Sequence, residues 1–238
     1  MLEGQRVLVL GGTSGIGLAT ARTALDAGAA VTIGGRDPRR LEAALTALDG
    51  RAQGIRVDAT DRASLEAMLA AVGKLDHLVL SVATGGGAGP LATLDLTALQ
   101  QAIEGKLLAF LRALQVALPY LRKDGSVTFV TAASARAAAP GTAGLAANNG
   151  ALNVAVAPLA VELAPLRVNA VCPGIVETPI FERWPEELRE RFFERARATP
   201  VGRIGRPEDI AKAILFLMTD DFVTGTLLDC DGGIRLGG

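Results

Sequence analysis

Two cysteines, one tryptophan, one tyrosine, one histidine and four lysines are all that 238 residues hold of those types. The cysteines, Cys172 and Cys230, lack metal-ligand spacing and fall in or beside apolar segments, which predicts inert core thiols and a reducing, cytoplasmic setting. No apolar run approaches the roughly 18 residues that a membrane span needs. The net charge is −1, with acids and bases interspersed, so the electrostatic footprint of a nucleic-acid or polybasic membrane binder is missing. The opening MLEGQRVLVL enters a strand-like segment at once and predicts no signal peptide.

The residues that are present make an apolar and regular pattern. Half of them are hydrophobic. A chain this long buries roughly 70–75% of its unfolded surface, so its core needs no staples. Short apolar runs (RVLVLG at 6–11, AVTIGG at 30–35, GIRVDA at 54–59, HLVLSV at 77–82, SVTFVT at 126–131, RVNAVC at 167–172, TLLDCD at 226–231) alternate with amphipathic stretches at 15–28, 38–48, 62–73 and 96–121. Continuous hydrophobicity within a run marks a strand buried on both faces. The rhythm predicts one α/β domain over 1–238, a doubly wound parallel sheet of about seven strands with helices on both faces. The stretch ETPIFERWPEELRERFFERARATP (177–200) breaks the rhythm and carries the one Trp and three of the seven Phe. It is either packing or subunit contact, or a substrate lid reaching to about 204.

The first strand runs into GGTSGIG at 11–17. Glycines at 11, 15 and 17 let the chain turn tightly and bring N–H groups against a pyrophosphate, at the positive end of the following helix. Gly11, Thr13, Ser14, Gly15, Ile16 and Gly17 are therefore candidate cofactor contacts. The second strand ends in GGRDPRRL. An NAD site places an acid there for the ribose 2′-OH. This chain has Arg36, which suits a 2′-phosphate and predicts NADP(H). Asp37-Pro38 is explained instead as an N-cap followed by a first-turn proline.

The spacing Gly-x-x-x-Gly-x-Gly resembles that of the short-chain dehydrogenases/reductases, and the resemblance runs the whole length. Asp58 in RVDATD matches the adenine-contacting aspartate. Leu80-Ser81-Val82-Ala83 stands where that family has Asn-Asn-Ala-Gly, which puts Ala83 beside the cofactor. CPGIVETP at 172–179 resembles the family's Pro-Gly motif, with Pro173, Gly174, Val176 and Thr178 on the nicotinamide side. TPVGRIGRPEDIAKAILFL and TGTLLDCDGG look like its C-terminal signature. The resemblance implies a Rossmann-type domain, NADP(H), a small carbonyl or alcohol substrate, and a homodimer or homotetramer.

The departures lie at the catalytic positions. The family's tyrosine and lysine, four apart on one helix face, fall on Leu145 and Asn149. Its serine falls on Ala132 or Ala133, with Ser134 nearby, and its helix asparagine on Lys106. Leucine cannot donate a proton, so the usual mechanism cannot operate. Tyr120 and His77 belong at the amino edge of the sheet, away from the cofactor edge. Lys106 lies fourteen residues before Tyr120, roughly 21 Å along a helix, which brings it to the cofactor edge.

Lys106 and Asn149 thus look exchanged between two facing helices, unless Lys106 is a solvated helix lysine. Lys106, Asn149, Ser134 and Arg136 are the candidate catalytic residues, with Asn148 a weaker one. Asn149 doubles as a ribose contact. Lys106 would bring positive charge to a developing oxyanion. Ser134 and Arg136 would bind a carbonyl oxygen and an anion, or simply face water in a turn. The helix GLAANNGALNVAVAPLAVELA is rich in small residues suited to close helix approach, and Pro158 predicts a kink in it. Three functions stay open: an NADPH-dependent carbonyl reductase or alcohol dehydrogenase with a non-standard proton donor, a silent NADP(H) sensor, and a non-redox cyclase or isomerase.

Overall fold

The computed structural model describes residues 1–183 and 186–236. Its strands are β1 (Arg6–Leu10), β2 (Ala30–Gly35), β3 (Gln53–Arg56), β4 (Leu75–Leu80), β5 (Leu121–Val130), β6 (Arg167–Pro173) and β7 (Leu227–Cys230). They pair in parallel throughout, in the order β3-β2-β1-β4-β5-β6-β7. The order reverses between β1 and β4. In sheets of this kind that reversal leaves a ligand crevice at the carboxyl edge.

The helices are α1 (Gly15–Asp26), α2 (Pro38–Ala47), α3 (Arg62–Val72), α4 (Leu96–Ile103), α5 (Ala109–Ala117), α6 (Ala143–Glu162), α7 (Glu186–Arg197) and α8 (Pro207–Thr219). A π turn, Glu104–Leu108, joins α4 to α5 without a break. Side chains of β1 alternate between two cores. Leu8 and Leu10 join Leu69, Phe110 and Leu152 from α3, α5 and α6. Val7 and Val9 join Ala21, Leu41 and Ile214 from α1, α2 and α8. Burial on both faces is why these strands carry continuous apolar runs.

Several boundaries moved, among them that of β4, which runs from Leu75 to Leu80 rather than 77–82. The helix expected over 96–121 ends at Ala117, and β5 starts at Leu121 rather than 126. Leu121 pairs with Leu75, and a register shift before the Ser126–His77 pair absorbs the extra residues. β3 stops at Arg56, short of 59, because Asp58 turns the chain by accepting from the Thr60 amide at 2.9 Å. Asp61 then caps α3.

The one apolar stretch of membrane-spanning length among the described helices is α6, at a mean hydropathy of 1.2 over 18 residues. That corrects the expectation that no segment reaches this threshold. Its apolarity comes from Ala, Val and Leu scattered around the helix, and Leu152, Val156 and Ala160 of its inner face join the core. Asn148, Asn149 and Asn153 are buried with them. The helix continues through Pro158. In the 177–200 stretch, Phe181 packs on the buried Phe193 with ring centres 5.3 Å apart. Trp184 and Pro185 lie outside the described residues.

Candidate active site

The site is built from the segments just past the carboxyl ends of β1, β2, β4, β5 and β6. β1 leads into the glycine loop. A Cβ on Gly17 would collide with the Gly11 carbonyl, so only glycine lets α1 start this close to the strand. Ser14 is the N-cap of α1 but makes no side-chain cap bond, and the first turn holds no acid. That leaves the first turn of α1 with the character of an anion site. Thr13 packs against Gly35, and Gly15 sits against Thr178.

Asp37 accepts from the Arg39 and Arg40 amides and caps α2, with Pro38 at its start, as the sequence predicts. Arg36 is thereby free of Asp37 and sits near Asp58. Burial pushes the Asp58 carboxyl up, but hydrogen bonds from the Thr60 amide and hydroxyl, together with Arg36, leave it below the ordinary carboxylate range. Arg40 did not stand out in the sequence. Its Nη2 donates to Ser14 Oγ at 2.9 Å, which ties the first turn of α2 to the glycine loop. The signal was present: Arg40 stands four residues after Arg36, one helical turn on.

Beyond β6, Pro173 and Gly174 lead into a return segment. Gly205 N donates to the Ile175 carbonyl and Glu177 N to the Gly205 carbonyl. The Val176 side chain is buried in the core. Its own amide and carbonyl take no part in that bridge, so a contact from Val176 to a ligand is a backbone contact. Ala83 lies exposed just past β4. The α1 cradle, the basic end of β2 and the return segment fit a phosphate-bearing dinucleotide.

The π turn holds Lys106. Its Nζ donates to Asn149 Oδ1 at 2.7 Å and to the Thr131 carbonyl at 3.4 Å, and lies 5.9 Å from the Phe110 ring centre. Burial lowers the ammonium to about 8, an effect the neighbouring Cys172 sulfur opposes. Asn149 Nδ2 donates to the Leu145 carbonyl one turn back. A solvated helix lysine, the plain alternative for Lys106, is excluded by these contacts. π bulges of this kind concentrate at functional sites. Below them, Thr131 Oγ1 donates to Cys172 Sγ at 3.3 Å, and Cys172 Sγ to Asn153 Oδ1 at 3.7 Å. Burial raises the pKa of Cys172 and of Cys230, consistent with inert thiols.

The loops after β4 and β5 are joined backbone to backbone. Gly89 N donates to the Gly141 carbonyl at 2.8 Å and Leu145 N to the Gly87 carbonyl at 3.0 Å. A Cβ on Gly144 would lie 2.7 Å from the Gly87 oxygen, so the contact requires glycine. Ser134 sits in the short turn Ala133–Ala135 just past β5. Arg136 is turned to Asp229 of β7, with Nη1 to Oδ2 at 2.8 Å, and Arg235 shares that carboxylate. This partner, 93 positions away, had no signal in the sequence. Asn148 donates to the Ala102 carbonyl at 3.0 Å and serves helix packing.

His77 and Tyr120 sit at the opposite edge. His77 bonds to Ser126 Oγ and Gln5 Oε1. Burial, chiefly, holds its pKa down to about 4. The Tyr120 carbonyl accepts from Leu75 N, ahead of β5.

A family model described as Enoyl-(Acyl carrier protein) reductase matches residues 11–235. A short-chain dehydrogenase/reductase, ATR9, of Stachybotrys chlorohalonatus is 33% identical, over 99% of this chain and 98% of its own. A small-chain dehydrogenase solved in complex with NADPH superposes with a TM-score of 0.85 at 29% identity, covering 99% of this chain and 100% of that one. The MalC reductase/Diels-Alderase of Malbranchea aurantiaca superposes at 0.89 with 31% identity, covering 99% and 97%. The chain belongs to the short-chain dehydrogenases/reductases, oxidoreductases that use a nicotinamide cofactor.

Proposed function

We propose that the protein is an NADP(H)-dependent oxidoreductase of the carbonyl reductase or alcohol dehydrogenase type with a non-standard active site. The observation that carries this reading is the 2.7 Å contact from Lys106 Nζ to Asn149 Oδ1. Leu145 stands at the family's tyrosine position and Asn149 at its lysine position. Gly11, Thr13, Ser14, Gly15, Ile16 and Gly17 hold the pyrophosphate, Asp58 the adenine side, and Arg36 with Arg40 the 2′-phosphate. Ala83, Pro173, Gly174, Val176 and Thr178 lie toward the nicotinamide, and Asn149 toward its ribose. The NADPH bound to a solved relative supports the phosphorylated cofactor.

When bound, the nicotinamide supplies the hydride. The protein's part is to stabilise charge on the carbonyl oxygen and deliver a proton. Lys106, at about 8, is mostly an ammonium at pH 7 and points positive charge into a site of low polarity. Water held by Lys106, Asn149 or Ser134 relays the proton. Arg136, bonded to Asp229, stands past β5 toward the substrate side. Residues 177–204 act as the lid. The exposed face of α6, with Val154 and Val161 uncovered, supports a homodimer or homotetramer, and two free thiols suit the cytoplasm.

A second reading, a silent NADP(H) sensor or a non-redox cyclase or isomerase on the same scaffold, is favoured by two points. Leu145 removes the family's proton donor, and a relative of similar fold is named a reductase/Diels-Alderase. A screen of NADPH oxidation across aldehydes, ketones and imines, with Lys106→Ala as control, separates the two. Turnover that collapses in Lys106→Ala supports the reductase. NADPH binding without oxidation of any substrate favours the second reading.

A further inference from the structure

A cleft of about 580 Å³ opens between the loops after β4 and β5 and the first turn of α6. Its volume falls within the range of small-molecule sites, roughly 300–1,000 Å³. Its walls include Leu91, Ala138, Ala139, Pro140, Ala143 and Ala146. The polar side chain in the lining is Thr142, and its hydroxyl already donates to the Ala139 carbonyl at 2.7 Å. Ala143 and Ala146 of its wall stand at the same end of α6 as Asn149, the partner of Lys106.

The charge pattern is equally one-sided. Residues 81–94 carry no charged side chain, and residues 131–161 carry Arg136 alone. The Arg136 guanidinium is bonded to Asp229 at 2.8 Å, and Asp229 is held in turn by Arg235. An anionic group in the cleft would lose its water and meet methyl groups, with no free cation among the lining residues to replace the hydration. A neutral hydrocarbon body would gain by leaving water there.

Building on the reductase reading above, we infer that the substrate is a neutral carbonyl compound with a bulky apolar body, such as an alicyclic ketone, and that the cleft excludes acidic analogues. Lys106 meets the carbonyl oxygen, and the alanine-walled cleft takes the remainder of the molecule.

The test uses a matched pair, 4-tert-butylcyclohexanone and 4-oxocyclohexanecarboxylate, titrated calorimetrically into the protein saturated with NADP⁺. The neutral ketone is expected to bind at least about tenfold more tightly, the scale of one tert-butyl group leaving water. Ala138→Phe, which fills the cleft from an exposed loop position, should weaken the neutral ketone and leave NADP⁺ affinity and the melting temperature alone. Ala138→Lys should shift preference toward the acid. Equal or tighter binding of the acid by the parent protein overturns the inference, as does no binding of either ketone, or indifference of both ligands to both substitutions. Binding of the neutral ketone without NADPH oxidation defeats the reductase reading and leaves the cleft assignment standing. Turnover confined to the acid does the reverse.

Discussion

Lys106 Nζ lies 2.7 Å from Asn149 Oδ1, so a cation from the π turn between α4 and α5 is held by an amide of α6. On the proposed assignment of Leu145 and Asn149 to the family's tyrosine and lysine positions, the pair inverts the residue types of those two helices. The ammonium is lowered to about 8 by burial, which puts its titration within reach of activity measurements. The turnover number for carbonyl reduction should be flat near pH 7 and fall as pH rises through about 8, because the charged form is lost. Lys106→Arg, whose guanidinium stays charged, should abolish that fall even if the plateau is lower. Lys106→Met should cut turnover by roughly 10²–10³, the cost of one donor to a developing oxyanion. A profile in Lys106→Arg that still breaks near 8 would assign the titration to another group.

The stability linkage runs in the same window with a definite sign. A lysine lowered from 10.5 to about 8 binds fewer protons folded than unfolded between those values. Stability should therefore rise with pH from about 8 to 10.5, and Lys106→Met should flatten that rise. Urea midpoints measured across the window check it.

The fold was legible because every strand but the short β3 and β7 has a stretch buried on both faces, which writes a continuous apolar run. The cradle was legible because Gly17 and Gly11 must touch, and that close approach leaves a glycine signature. Other features were not. The turn at Asp58 and the early start of β5 depend on hydrogen bonds and a register shift that local composition does not encode. The π turn at Lys106 shows only as αR backbone with one extra residue in the ring. Arg136 looked like an anion clamp until a carboxylate from the last strand was placed against it. The resemblance singled out Lys106 and Asn149 together, and their 2.7 Å contact is what the structure adds.

Arg36 and Arg40 make a separable prediction about the cofactor. Charge-assisted hydrogen bonds are typically worth about 1.5–3 kcal/mol each, so either arginine changed to alanine should loosen NADPH by roughly ten- to hundredfold. NADH, which lacks the 2′-phosphate, should bind as before. Arg40→Ala also frees Ser14, so Arg40→Lys is the control for packing. Calorimetric titration decides. Parallel losses for both cofactors would mean that these arginines hold the loop and read no phosphate.

His77 predicts acid sensitivity. Its imidazole is buried neutral, with a pKa lowered to about 4 from 6.5. Below 6.5 the unfolded chain takes up a proton that the folded chain refuses until about 4. Stability should therefore drop as pH falls through that interval. His77→Gln, which keeps hydrogen-bonding capacity toward Ser126 and Gln5, should lower stability at pH 7 yet shrink the acid-side slope. An unchanged slope would place the sensitivity elsewhere.

The last prediction restores the family's arrangement. Leu145→Tyr alone should give little, because no lysine stands one turn on to tune the phenol. Adding Asn149→Lys brings a second ammonium against Lys106. Two such charges about 4 Å apart repel by roughly 4 kcal/mol at an effective dielectric constant of about 20. The double variant should accordingly melt well below the parent. Lys106→Asn should then rescue it by removing one cation and supplying an amide opposite the other, so that the triple variant folds and reduces carbonyls through tyrosine. The coupling between Lys106→Asn and Asn149→Lys should be large and favourable in both melting temperature and turnover. Strict additivity in that cycle would mean that the two positions do not share one site, and the assignment of Leu145 to the tyrosine position would fall with it.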